Sequence, residues 1–203
     1  MSDDIYNRQK TINLNSNIKV IVSGVGGIGY NFVIQLAMSG VKDIYMFDPD
    51  VIEASNLNRL PIPFSFIGKN KADCAKLMVE QMRNDVNIMS FPYKFSERML
   101  PSNMTFDWFV DCTDIFETQL INQEFAKANN MKYVKLGYDG ERIGIHDKIG
   151  MWNDGEPEVD GYTVTPSWVV PANIVAGMAV AKIMKYPQHE MSCEISDFFN
   201  FKH

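Results

Sequence analysis

Several residues in this 203-residue chain have types and spacings suited to phosphate chemistry. The stretch "SGVGGIGYN" (23–31) places Gly24, Gly26 and Gly29 in a G-x-G-x-x-G turn, with Gly27 inside it. It follows the apolar run "IKVIV" and precedes the apolar segment "FVIQLAMSG". Glycines there allow a tight turn and close approach of backbone to a phosphate, which the free N–H groups at the start of the next helix attract. Asp48 closes the following apolar run 19 residues after Gly29, a position from which a carboxylate can bind a ribose hydroxyl. Taken alone, the turn suits NAD, FAD and ATP equally, and a redox dinucleotide is its commoner occupant.

Downstream residues change the balance. "DPDVIEASNLNRL" (48–60) carries Asp50, Asn56, Asn58 and Arg59 in a short polar stretch. "FIGKNKAD" (66–73) brings Lys69 and Lys71 to a helix start, and "DCTD" (111–114) brings Asp111 and Asp114 to a strand end. Cations offset charge developing on phosphorus oxygens, and a carboxylate can hold Mg²⁺ beside them. That combination serves phosphoryl or nucleotidyl transfer, whereas hydride transfer has no use for it.

To bring these residues together the chain must alternate strands and helices. "IKVIV", "DIYMFD" (43–48), "NIMSFPYKF", "FDWFVDCTD" (106–114) and "KYVKLGYDG" (132–140) read as strands. Pro92 limits the third to an edge or bulged position. Ile28, Phe32, Val33, Leu36 and Ala37 form one apolar stripe of a helix that Gly40 terminates. Helices are also predicted over 69–84, from "FETQLINQEFAKANN", and from "PANIVAGMAVAKIMKY". The expectation is an α/β, doubly wound, mostly parallel, Rossmann-like sheet with helices on both faces, in one domain spanning 1–203. In such a sheet every candidate residue falls at the carboxyl edge of the strands, where ligands bind. The Gly-, Asp- and Pro-rich stretch 150–165 reads as an exposed loop.

Composition narrows the partners. A net charge of −6 argues against general affinity for nucleic acid or anionic membranes. The polar, acidic opening "MSDDIYNRQK" has no signal-peptide character, and a cytoplasmic setting is expected. Cys74, Cys112 and Cys193 form no CxxC pair, and the three histidines lack metal-ligand spacing, so no zinc is expected. Acids flank Cys193 in "EMSCEISD" and work against a reactive thiolate.

With these motifs in order, "GVGGIG" (24–29), "DPDVIEASNLNR" (48–59), "IGKNKA" (67–72) and "DCTD", the chain resembles the ThiF/MoeB/HesA family of adenylating enzymes related to ubiquitin-activating enzymes. "YNRQ" (6–9) is similar to the family's opening and "TPSWVVPANIVAGMAVAKIM" to its closing helix. The resemblance implies that Gly24, Gly26, Gly27, Gly29, Asp48 and Asp50 line an ATP site, with Asp48 on the ribose. It implies that Asn56, Arg59 and Lys71 meet the phosphates and that Asp114 binds magnesium. Arg8 matches an arginine that reaches into a partner subunit's site, implying a homodimer with residues 1–17 at its interface. The implied reaction is ATP- and Mg²⁺-dependent adenylation of a carboxylate, most simply the terminal glycine of a ubiquitin-like protein or peptide. Adenylation of a small molecule or a tRNA-borne carboxylate, an oxidoreductase, and a non-catalytic partner subunit are the competing readings. Ile115 stands where the family often has Asn, and the paired zinc-binding cysteines and the usual catalytic cysteine are missing.

Overall fold

The protein is represented by a computed structural model that describes residues 4–149 and 166–200. Its strands are β1 (Lys19–Ser23), β2 (Asp43–Phe47), β3 (Asn87–Phe91), β4 (Trp108–Asp111), β5 (Lys132–Tyr138), β6 (Arg142–His146) and β7 (Met191–Glu194). They form one sheet in the order β3-β2-β1-β4-β5-β6-β7. The first five are parallel, as the alternating pattern predicts. β6 and β7 add to one edge in antiparallel fashion, and this the sequence reading missed. The strands predicted from sequence end at 140. Ile143 and Ile145 alternate with Gly144 and His146, but a five-residue alternation is too short to separate a strand from a loop. The loop predicted over 150–165 lies outside the described residues.

The helices are α1 (Gly27–Met38), α2 (Lys71–Met82), α3 (Phe116–Ala128) and α4 (Val169–Met184). Because strand side chains alternate between faces, the sheet sorts its residues by parity. Val20, Val22, Ile44, Met46, Val110, Val134 and Leu136 pack with α1, α2 and α4. Ile21, Tyr45, Phe47, Phe109 and Tyr133 face the α3 side, where Phe95 meets Phe47, Phe109 and Phe125 edge-on or tilted at 4.8–5.1 Å between ring centres.

α1 differs from its predicted single stripe: every residue from Gly27 to Val33 is buried. The sheet covers one side, α4 lies against another so closely that a Cβ on Gly177 would stand 3.0 Å from Gln35 Oε1, and the 56–60 loop covers its start. Gly40, at φ +97°, ends the helix as expected. α2 begins at Asn70, whose side chain accepts from Asp73 N–H as an N-cap. β3 is an edge strand and stops one residue before Pro92.

Candidate nucleotide site

The glycine turn is built by close approach. Gly24, at φ +87°, lies so near the end of β4 that a Cβ would be 3.0 Å from the Cys112 carbonyl. A Cβ on Gly29 would sit 1.9 Å from the Gly24 carbonyl oxygen, so α1 can leave the turn only without a side chain there. Gly26, just ahead of the helix, has open space where a Cβ would go. That opening faces the unpaired N–H groups of the first turn of α1, which attract an anion.

Asp48 is buried, and both its oxygens are engaged: Oδ2 accepts from Val25 N–H at 2.6 Å and Oδ1 from Asp50 N–H at 2.8 Å. Burial raises its pKa above the ordinary carboxylate value, and the two N–H bonds pull the other way. Its visible work is to tie the glycine turn to the 48–50 segment. Asp50 is exposed and pairs with Lys71 Nζ at 2.8 Å. Asn70 joins the same corner, donating to the carbonyl oxygens of Asp48 and Asp50 at 2.8 and 3.0 Å. Lys69 is exposed and lies over the Phe66 ring, consistent with a surface role.

Arg59 comes to the turn from the "SNLNR" loop. A Cβ on Gly27 would meet Arg59 Cδ and the Tyr138 hydroxyl, each at 2.9 Å. Arg59 Nη1 donates to the Ser55 carbonyl and to Asn58 Oδ1, both at 2.9 Å. Asn31 holds the loop on the helix: its buried Nδ2 donates to the Gly27 and Arg59 carbonyls at 2.7 and 3.0 Å. Asn56 is buried and its Oδ1 accepts from Glu53 N–H at 3.1 Å, which makes it a brace of this loop.

At the end of β4 the two carboxylates separate. Asp114 is exposed at the carboxyl edge. Asp111 is fully buried and accepts four hydrogen bonds, from Thr113 N–H and Oγ1 on one oxygen and from Asn122 and Tyr133 on the other. No acceptor position is left for a metal shell, so Asp111 organises the turn. Burial pushes the Cys112 thiol and the Tyr133 hydroxyl up, away from ionisation. Among the described residues no group of three or more His, Cys, Asp or Glu side chains is arranged to hold a metal ion. A single exposed acid beside an open phosphate cradle nevertheless fits Mg²⁺, which takes one or two carboxylates plus phosphate oxygens.

Arg8 lies apart from these residues. It is exposed in a 3₁₀ segment (Asn7–Ile12) that docks on the far end of α1. The Tyr6 ring fills the space beside Gly40 and its hydroxyl donates to Asp85 at 2.9 Å, while Arg83 sits over the ring and Gln9 donates to the Ser39 carbonyl. The length of a 12-residue helix, about 18 Å, separates that end from the glycine turn of the same chain. Cys193 is also remote. It lies on β7, three strands beyond β4 or about 14 Å across the sheet, and burial raises its thiol pKa.

Sequence reasoning missed Asn31, Asn70, Tyr138 and the buried Lys135. Asn70 carried a readable signal as the N-cap of an N-x-x-D start, and Asn31 as a polar residue inside an apolar helix. A cavity of about 560 Å³ is lined by Asp139, Glu141, Arg142, Trp168 and Glu194 at the turn between β5 and β6.

The chain is similar to several known proteins. Over 130 residues, 62% of this chain, the protein is 32% identical to adenylyltransferase and sulfurtransferase UBA4 of Saccharomyces cerevisiae, of which it covers 30%. Over 82% of its length it is 26% identical to ubiquitin-like modifier-activating enzyme 5 of Bombyx mori, covering 50% of that protein. The chain therefore spans half or less of these relatives. Its fold is that of Escherichia coli MccB solved with AMPCPP and MccA, at TM-score 0.77 and 18% identity over 96% of this chain and 72% of the other. The ATP complex of MccB superposes at TM-score 0.73, with 20% identity over 91% of this chain and 64% of the other. The ThiF family model matches residues 6–201, and the chain belongs to the ThiF family.

Proposed function

We propose that the protein adenylates a carboxylate. The substrate oxygen attacks the α-phosphate of ATP, an acyl-adenylate forms, and pyrophosphate leaves. The observation that carries this reading is the convergence of Arg59 on Gly27, at the open amino end of α1, with the Lys71–Asp50 pair at the same strand edge. The N–H groups of α1 and the Arg59 guanidinium offset charge on the phosphates, and Lys71 exchanges its exposed Asp50 partner for a phosphate oxygen. Asp114 would hold Mg²⁺, which when bound supplies further charge neutralisation on the triphosphate. No general base is required, since a carboxylate is ionised at neutral pH. The work of the site is positioning and electrostatics.

The substrate in this reading is the C-terminal glycine carboxylate of a ubiquitin-like protein or of a peptide. Relatives support both forms: one is named for activating a ubiquitin-like modifier, and MccB was solved with MccA. The protein acts as a homodimer in which Arg8 of one chain reaches the site of the other. The docking of residues 4–12 at the opposite end of α1 supports this, because Arg8 cannot serve its own site.

ATP–pyrophosphate exchange with a carboxylate-bearing partner tests the reaction. Arg59→Ala and Asp114→Ala are each expected to lower exchange about a hundredfold or more. Exchange surviving unchanged in both would overturn the assignment.

A further inference from the structure

β5 carries a lysine between Val134 and Leu136, with the polar Asp111 and His146 beside it on the neighbouring strands. Lys135 is 7% exposed and faces the α3 side of the sheet, in register with Asp111 on β4. The two opposite charges do not pair directly. Lys135 Nζ donates instead to the Thr113 carbonyl at 2.6 Å and to the Leu136 carbonyl at 2.8 Å. Gln119 Nε2 adds a second donor to the same Thr113 carbonyl, at 2.9 Å. With Asp111 accepting from Thr113 N–H and Oγ1, all the polar atoms of Thr113 are held from beneath. The next residue is Asp114, exposed at the carboxyl edge. Burying an ammonium is costly, and it is tolerated here because Nζ is held by two carbonyl oxygens with the Asp111 charge on the neighbouring strand. What the ammonium adds is a charge-assisted bond to the turn that presents Asp114.

We infer that Lys135 is a positioning residue: by holding the Thr113 carbonyl it fixes the 112–114 turn so that the Asp114 carboxylate points at the metal–nucleotide site. This rests on the reading of Asp114 given above. Gln119 shares the task through the same carbonyl. Outer contacts that orient a metal-binding carboxylate are typically worth tenfold or more in metal affinity.

The test is a Mg²⁺ titration at fixed AMPCPP followed by calorimetry, alongside the Mg²⁺ dependence of exchange, on the full chain. Lys135→Met is expected to raise the half-saturating Mg²⁺ about tenfold, and Gln119→Leu to shift it less in the same direction. Lys135→Gln, which keeps a donor at reduced reach, should fall between wild type and Lys135→Met. Asp114→Asn is the reference and should lose most of the Mg²⁺ effect. If Asp114→Asn keeps the Mg²⁺ effect, the reading of Asp114 fails. If Asp114→Asn loses it while the Lys135 variants keep the wild-type requirement and only melt earlier, the positioning role alone is overturned. Should Lys135→Met not fold, Lys135→Gln and Gln119→Leu decide the question by the same readout.

Discussion

Arg59 crosses the first residue of α1 so closely that a Cβ on Gly27 would stand 2.9 Å from Arg59 Cδ. A side chain at position 27 would therefore displace Arg59 and Tyr138. Gly26 next to it is hindered by nothing, and in the function proposed above its opening is where a phosphate would lie.

These neighbouring glycines should respond differently. Gly27→Ala displaces Arg59 and Tyr138, and a shift of that size at a positioning group costs on the order of a hundredfold in exchange. Gly26→Ala puts a methyl group into open space, so its unfolding free energy should stay within about 1 kcal/mol of wild type. Its nucleotide binding should nonetheless be lost, because the methyl enters the phosphate cradle. Calorimetric titration with AMPCPP, paired with urea unfolding, separates the two; a Gly26→Ala protein that binds nucleotide normally would remove the cradle from this site.

Asn31 connects α1 to the loop bearing Arg59 through the carbonyls of Gly27 and Arg59. Asn31→Leu leaves the half-buried Arg59 carbonyl without its donor and should cost about 1–2 kcal/mol in chemical unfolding. It should also raise the KM for ATP, since Arg59 loses its anchor. An unchanged KM would show that the loop is held without Asn31.

The separation between Arg8 and its own glycine turn leads to a mixing experiment. Arg8→Ala and Arg59→Ala proteins should each be weak in exchange alone. Mixed in equal amounts and allowed to re-associate, half of the dimers are hybrids in which one of two sites has an intact Arg59 and receives an intact Arg8 from its neighbour, so activity should rise toward roughly a quarter of wild type. No recovery, in a mixture shown by mass to contain hybrid dimers, would sink the action in trans.

His146 is buried on β6, in register with Lys135. Burial lowers its pKa from the ordinary imidazole value, opposed by Glu190 and Asp147 and reinforced by Lys135 and Lys182. The unfolded chain then takes up the proton first as pH falls. Stability from this group is complete above the ordinary value of 6.5 and is lost as pH drops below it toward the folded value. One proton sets a limiting slope of about 1.4 kcal/mol per pH unit. Urea unfolding followed between about pH 5 and 7 should show this fall in wild type and a flatter profile in His146→Leu.

The sequence by itself determined the parallel half of the sheet and the glycine turn. Those features are written locally: apolar runs of strand length, a helical stripe ending in Gly40, and glycines spaced as the turn requires. It also offered Arg59, Lys71 and Asp114 as candidates through short motifs in register. The tertiary structure alone decided the antiparallel edge, because β6 and β7 are short, lie 45 residues apart and gain strand character only by pairing with each other and with β5. It separated Asp111 from Asp114, two carboxylates equivalent by type, since Asn122 and Tyr133 reach one and not the other. It buried Lys135, which by composition reads as a solvated lysine, and it set Arg8 at the far end of α1. Each of these depends on hydrogen-bond partners and burial contributed by distant segments, which no local pattern encodes.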